Sequence, residues 1–174
     1  MKLWEGPNGE MPESGCCTAS DSEDARKVAS KLDIPYYVLD YTESFSKNVV
    51  DNFTQMYAQG LTPNPCVECN RSVKFDHFIN QAKKLNCDKV ATGHYAKIIK
   101  KNDKYELHKA DYLDKDQSYV LHMLQSSDLE NITFPLGEIS KPDVRQIAAR
   151  IGLKTAFKKD SQDICFVGKK DYRS

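Results

Sequence analysis

The chain has 174 residues, 40% of them hydrophobic, which is enough for one globular domain with a small appendage. Lys plus Arg and Asp plus Glu both number 25, so the formal charge is zero. That balance lacks the strongly basic signature of a dedicated nucleic-acid binder, though a local patch matters more than the total. No apolar run approaches the ~18 residues of a membrane helix, and no basic-then-apolar leader opens the chain. The sequence therefore reads as soluble and cytoplasmic, with no membrane partner. Six cysteines in such a chain (Cys16, Cys17, Cys66, Cys69, Cys87 and Cys165) are not expected to form a disulfide framework.

The first fifteen residues, through Gly6-Pro7-Asn8-Gly9 and Glu13-Ser14-Gly15, are turn-rich and predict a loop. A helix follows, with Ser20 and Glu23 at capping-box spacing and an apolar stripe of Ala25, Val28, Ala29 and Leu32. Asp33-Ile34-Pro35 ends it, and Tyr36-Tyr37-Val38-Leu39 predicts a short buried strand. A second helix is predicted from Ser44 to Gln59, with Phe45, Val49, Phe53 and Met56 on one face and Gly60 after it. Leu61-Thr62-Pro63-Asn64-Pro65 must be extended, because each proline pushes its predecessor out of the helical region.

A third helix is predicted to begin near Cys66, with Phe75, Phe78, Ile79, Ala82 and Leu85 as its stripe and Asn86 as its stop. Lys89 to Thr92 predicts a strand leading into Gly93-His94-Tyr95. Tyr95–Ile99 and Tyr105–Lys109 flank Lys100-Lys101-Asn102-Asp103-Lys104, the pattern of a hairpin. A helix is expected near Ser118 to Leu124. Another is expected from Ser140 to Gly152, with Val144, Ile147, Ala148 and Ile151 inward. Ile164-Cys165-Phe166-Val167 is a last apolar run, in strand or loop. The early alternation of helices and strands argues for a parallel sheet with flanking helices.

Cys66-Val67-Glu68-Cys69 follows a rigid proline loop at a predicted helix start, where free N–H groups and the helix dipole favour a thiolate. Half of a zinc site and a redox pair are the competing readings; no second Cys-x-x-Cys exists, and the proline loop replaces the strand a thioredoxin-type pair would follow. Cys165, between Ile164 and Phe166, reads on composition alone as a core residue. Thr92-Gly93-His94-Tyr95 lies where ligands bind in open α/β sheets, beyond the carboxyl end of a strand. There His94 contacts a phosphate or base, or simply caps a turn. Lys115-Asp116-Gln117-Ser118-Tyr119 reads as a phosphate- or base-holding stretch or as an ordinary helix start capped by Asp116. Lys158-Lys159 and Lys169-Lys170 flank Cys165 and can steer a polyanion toward it, or form solvated faces.

Taken in order, these segments resemble the tRNA-specific 2-thiouridylase family. The resemblance rests on Thr62-Pro63-Asn64-Pro65-Cys66-Val67-Glu68-Cys69-Asn70 with Lys74-Phe75, then Ala91-Thr92-Gly93-His94-Tyr95, then Lys115 to Tyr119. It continues through Phe134-Pro135-Leu136-Gly137, Lys141-Pro142 with Val144-Arg145, and Asp160-Ser161 with Ile164-Cys165-Phe166. It implies an adenine-nucleotide hydrolase-like (ATP-pyrophosphatase, Rossmann-like) α/β domain over 1–110. It also implies, over 111–174, the start of a small helical tRNA-binding domain and a second cysteine segment partly returning to the α/β domain. It implies ATP with Mg2+ as cosubstrate, tRNA as substrate, and a sulfur-donor protein, either a cysteine desulfurase or a relay protein, as partner.

The resemblance further implies that ATP adenylates the C2 oxygen of a wobble uridine. A persulfide on Cys165 then delivers sulfur and Cys69 helps release it, with a disulfide forming between the two. Cys66, Asn64 and Pro65 correspond to the loop meeting the target base; His94, Lys115, Asp116 and Gln117 to tRNA contacts; and Met1 and Gly93 to the ATP site. Cys66 stands where some members carry an aspartate. That leaves Cys66 as a third thiol, or Cys66, Cys69 and Cys165 as ligands of a [4Fe–4S] cluster. The family begins with a strand and a Ser-Gly-Gly-x-Asp-Ser phosphate loop, and nothing like it occurs here. A truncated and by itself inactive chain is therefore the expectation, against a related ATP-pyrophosphatase-type enzyme or a non-catalytic remnant binding tRNA or structural metal.

Overall fold

The computed structural model describes residues 1–5, 18–160 and 164–166. The expected opening loop from residue 6, the pair Cys16 and Cys17, Ser161, Val167 and the pair Lys169 and Lys170 lie outside them. The chain divides into two compact units, Met1–Pro65 together with Lys158–Ser174, and Cys66–Phe157. Among the described residues, no helix is long and apolar enough to cross a membrane.

In the first unit, α1 (Ala19–Lys31) is capped by Thr18, two residues before the predicted cap. Thr18 Oγ1 accepts from Asp21 N at 3.1 Å, and the Asp21 carboxylate accepts from Thr18 N at 3.1 Å. Glu23, beyond the N3 position that Asp21 fills, instead accepts from Arg26 with both oxygens at 2.7–2.8 Å. Asp33, at φ 54°, ends the helix in the left-handed region. α2 (Thr42–Phe45) runs through a π-helical segment (Ser46–Val50) into α3 (Asp51–Ala58), and Gly60 at φ 77° closes it. Phe45 and Val49 from this run join Leu3, Ala29 and Pro65 as the buried residues of the unit among those described.

The predicted buried strand at 36–39 is corrected. Tyr37 is 74% and Val38 52% exposed. Pairing among the described residues is confined to a parallel bridge between Lys2 and Asp40, where Lys2 N donates to Leu39 O and Tyr41 N to Lys2 O. One bridge does not bury a strand's two faces.

In the second unit, α4 (Pro65–Glu68) passes through a π segment (Cys69–Phe75) into α5 (Asp76–Lys84), which Asn86 terminates at φ 53°. Leu85, placed on the inward stripe by spacing, is 60% exposed at the C-cap of α5, whereas Phe78, Ile79 and Ala82 earlier on the stripe are half-buried. β1 (Val90–Ala91) pairs in parallel with β4 (Ile132–Thr133), a strand that sequence reasoning missed. β2 (Ala96–Lys101) and β3 (Lys104–Lys109) form the predicted antiparallel hairpin. Phe75, Ala96, Val120, Leu121, Ile132 and Phe134 make the core beneath them.

The predicted helix at 118–124 is only a 3-10 turn over Ser118–Val120. There the Val120 carbonyl accepts from the Asn70 side chain, and Leu124 N turns back to Leu121 O. α6 (Ser126–Leu129) precedes β4. α7 (Lys141–Arg150) is capped by Ser140 and closed by Gly152 at φ 73°, as predicted, but Ile147 and Ile151 are 45% and 44% exposed rather than inward.

Candidate functional site

Pro65 occupies the first position of α4, where its missing N–H costs nothing and its fixed φ suits the helix. Cys66, one residue on, is exposed, whereas Cys69 is 6% exposed. The two thiols of the Cys-x-x-Cys segment therefore meet different surroundings although they sit one turn apart. Cys69 opens the π segment, and Asn70 beside it is 2% exposed. Asn70 Nδ2 donates to Val120 O at 3.1 Å. Its Oδ1 is buried with no hydrogen-bond partner among the described residues. An unsatisfied buried carbonyl is uncommon and costs stability, and it sits one residue from the candidate nucleophile.

His94 lies beyond the carboxyl end of β1, as predicted. Its ring is walled by Phe75 and Phe134, with centroids 5.9 and 6.0 Å away. Nδ1 shares a 2.8 Å hydrogen bond with Thr92 Oγ1. Burial, with a smaller repulsion from Lys74, lowers the His94 pKa to about 4. The imidazole is thus neutral near pH 7 and serves as a hydrogen-bonding group rather than a cation for phosphate. Thr92, Phe75 and Phe134 were not singled out as site residues. Their occurrence inside the segments that carry the family resemblance is the signal that points to them.

Gly93 is exposed, with φ outside the left-handed range, and a Cβ added there would meet only Leu136 Cδ1, at 3.8 Å. Nothing within the described chain requires glycine at this position. At Gly137 the reverse holds, because an added Cβ would lie 2.1 Å from Ala96 O.

Asp116 and Gln117 have their acceptors engaged internally. Asp116 Oδ1 accepts from Ala110 N at 2.8 Å and Oδ2 from the Ser118 hydroxyl at 2.8 Å. Gln117 Oε1 accepts from Tyr95 N at 3.1 Å, while Gln117 N donates to Tyr95 O at 2.8 Å. Gln117 thus clamps the loop that carries Gly93 and His94, and Lys141 Nζ stands 5.8 Å over the Tyr95 ring. Lys115, half-buried, closes a 3-10 turn ahead of this clamp. One unit therefore gathers the Cys66–Asn70 segment, the Thr92–Tyr95 loop and the Lys115–Val120 loop.

Met1, Asn64 and Cys165 belong to the other unit. Met1 is half-buried beside the bridged Lys2, and Asn64 is exposed in the extended segment before buried Pro65. Cys165 is half-buried in a turn. Its half-buried neighbour Phe166 meets Phe53, Phe45 and Trp4 edge-on at 5.4, 5.8 and 6.2 Å. Lys158, expected to steer a polyanion, is held by Asp21 and Asp24 at 2.7 and 2.5 Å. Among the described residues, no disulfide involves Cys66, Cys69, Cys87 or Cys165. Nor are three His, Cys, Asp or Glu side chains grouped there as metal ligands, and the [4Fe–4S] alternative gains no support.

The parallel β1–β4 pair, the flanking helices and a glycine loop at the strand's carboxyl end define a Rossmann-like α/β domain. Residues 1–169 match the family described as tRNA methyl transferase HUP domain, and the chain belongs to that family. It is 48% identical over its whole length to the tRNA-specific 2-thiouridylase MnmA of Chloroflexus aurantiacus, covering 49% of that protein. It is 47% identical over 99% of its length to the corresponding protein of Clostridium botulinum, covering 48%, and 46% identical over its whole length to that of Leptospira biflexa, covering 46%. The chain thus spans about half the length of the curated relatives it matches.

Proposed function

We propose that the chain is the nucleotide- and tRNA-handling part of an ATP-dependent tRNA-uridine 2-sulfurtransferase. The observation that carries the reading is identity of 46–48% along the whole chain to proteins named tRNA-specific 2-thiouridylase. The family description names methyl transfer instead. Two thiols favour the first reading: a buried one at Cys69 and a half-buried one at Cys165 suit sulfur transfer.

In this reading residues 1–110 supply the nucleotide-binding part, and 111–174 the helical segment and second cysteine. Met1 and Gly93 contribute to the site for ATP with Mg2+; the open space where Gly93 lacks a Cβ suits a close-lying nucleotide. Adenylation releases pyrophosphate and makes the C2 oxygen of uridine a leaving group, AMP. The terminal sulfur of a Cys165 persulfide, loaded by a sulfur-donor protein, attacks C2 and AMP departs. The Cys69 thiolate then attacks Cys165 Sγ, leaving sulfur on the base and a Cys69–Cys165 disulfide for external thiols to reduce. Asn64, Pro65 and exposed Cys66 meet the target base. His94, as a neutral hydrogen-bonding group, and Lys115, Asp116 and Gln117 line the tRNA path, the last two chiefly by fixing the loops around them.

The test is nucleoside mass spectrometry of bulk tRNA from a strain whose single copy of the intact gene carries Cys165→Ser or Cys69→Ser. Loss of 2-thiouridine derivatives in both mutants is expected. Unchanged thiolation in either removes that cysteine from the chemistry.

A further inference from the structure

The β2–β3 hairpin is built as a rigid arm. Asn102 and Asp103 adopt φ of 49° and 59°, the two-residue turn whose twist matches antiparallel strands. Its register divides the side chains into two faces. Ile98 and Leu107 are cross-strand partners that pack against the core, and the Tyr105 carbonyl accepts from Ser126 Oγ at 2.9 Å, so that face is covered. The opposite face carries Lys97, Ile99 and Lys101 on β2 across from His108, Glu106 and Lys104 on β3.

The charges on this arm are unevenly compensated. Residues 96–109 hold five lysines, Lys97, Lys100, Lys101, Lys104 and Lys109, against Asp103 and Glu106, in a chain of zero net charge. The nearby acids are already engaged: Asp111 with Lys97, Glu106 with His108 at 2.9 Å, and Asp103 with Lys100 at 3.5 Å. Lys101 and Lys104, both exposed, face each other across the closing pair of the hairpin, and among the described residues the hairpin's carboxylates pair with other groups. Like charges directly opposed on a sheet are destabilising, so nothing internal to the hairpin favours this pair.

The base of the arm gives it direction. β2 leaves directly from the Gly93-His94-Tyr95 loop, and β3 returns through Ala110, whose N–H is held by Asp116, to the Lys115–Gln117 loop. Five residue steps of ~3.4 Å put the tip on the order of 17 Å along the strand from that loop. From these features we infer that the exposed face of the hairpin, with Lys101 and Lys104 at its tip, binds the phosphate backbone of the RNA substrate. The contact lies outside the target base and is independent of sequence. The inference rests on the tRNA reading above and adds a surface to it. A polyanion satisfies two opposed ammonium groups at once, whereas a single carboxylate satisfies one.

The test is fluorescence anisotropy of the 174-residue chain with an in vitro transcribed tRNA bearing wobble uridine, across ~50–200 mM salt. Lys101→Ala/Lys104→Ala is expected to weaken binding roughly tenfold and to lower the slope of log affinity against log salt by about 2, one for each phosphate no longer neutralised. Lys83→Ala/Lys84→Ala, on α5, makes the same charge change elsewhere in the unit and is expected to move both quantities less. Far-UV circular dichroism checks the fold, and Lys101→Gln/Lys104→Gln provides a second variant. Equal effects of the hairpin and α5 pairs overturn the inference. So does unchanged tRNA binding by the hairpin variants, which would point to an acidic protein partner for the patch. No tRNA binding by the unaltered chain would overturn the inference and the RNA-handling part of the proposed function together.

Discussion

Two glycines in the second unit carry opposite expectations, and alanine at each separates packing from function. At Gly137 an added Cβ lies 2.1 Å from Ala96 O, 2.9 Å from Ala96 C and 2.8 Å from Lys97 Cγ, all against the base of β2. Ordinary contact begins near 3.4 Å, so backbone must move by more than an ångström. Overpacking of this kind costs about 1–3 kcal/mol. The shift also strains the 2.9 Å hydrogen bond from Asp111 N to Gly137 O, worth a further ~1 kcal/mol. Gly137→Ala is therefore expected to lose roughly 2–4 kcal/mol, which in a chain of this size lowers Tm by roughly 5–15 °C. At Gly93 the new methyl meets one side-chain carbon at 3.8 Å. Reduced freedom of the unfolded chain makes Gly93→Ala neutral to about 1 kcal/mol stabilising. If a nucleotide uses that space, the methyl collides with it, and ATP affinity by equilibrium dialysis falls roughly tenfold, the equivalent of ~1.4 kcal/mol of binding free energy. Urea unfolding of both variants beside ATP binding of Gly93→Ala decides the matter. A stable Gly137→Ala refutes the packing of the 134–137 turn on β2. A Gly93→Ala chain that binds ATP normally refutes the reason offered for glycine there.

Three further expectations concern the same elements. His94, with a folded pKa of about 4 against 6.5, binds fewer protons folded than unfolded, so its burial costs nothing above pH 6.5. As pH falls toward 4 the cost grows, reaching on the order of 2 kcal/mol at pH 5. His94→Gln should flatten that part of the stability curve, and an unchanged pH dependence of the urea midpoint would refute the burial argument. Asn70→Ala removes the amide held by Val120 O at 3.1 Å and should cost about 1–3 kcal/mol in urea unfolding; a smaller loss would mean that the orphaned Oδ1 already cancels the bond. Phe166→Ala removes a half-buried ring with three aromatic neighbours and should cost about 2 kcal/mol, with faster alkylation of Cys165 by iodoacetamide. Unchanged stability and alkylation rate would show that Phe166 does not hold the turn.

The sequence made local signals legible and left long-range ones hidden. Helix ends at Gly60, Asn86 and Gly152 were readable because left-handed backbone after a helix has a short list of tolerant residues. The β2–β3 hairpin was readable for a similar reason, alternating apolar strands around Asn102-Asp103. β4 was missed because two residues, Ile132 and Thr133, carry no periodicity. The helix expected at 118–124 failed for a reason no local window contains, since Asn70, fifty residues away, takes the carbonyl that the helix would have used. The inward positions of α7 failed likewise, because spacing specifies an apolar face and not whether a neighbour covers it.

The candidate site divides along the same line. Residue types marked the candidates: two cysteine segments, a glycine-histidine loop and a Lys-Asp-Gln stretch. Their duties follow from partners instead. Gln117 and Asp116 look like surface polar groups on paper, yet Gln117 Oε1 and Asp116 Oδ1 accept from backbone N–H groups and Asp116 Oδ2 from the Ser118 hydroxyl, so both hold loops of the candidate site in place. Cys66 and Cys69 look equivalent, yet the turn of helix between them leaves one exposed and buries the other beside an unsatisfied amide oxygen. Exposure suits a residue that meets a base, and burial suits a thiol whose role is to resolve a bond already formed. That division predicts that Cys66→Ser retains more tRNA thiolation than Cys69→Ser in the intact gene, measured by nucleoside mass spectrometry. Equal loss in the two would mean that the helix turn does not separate their roles.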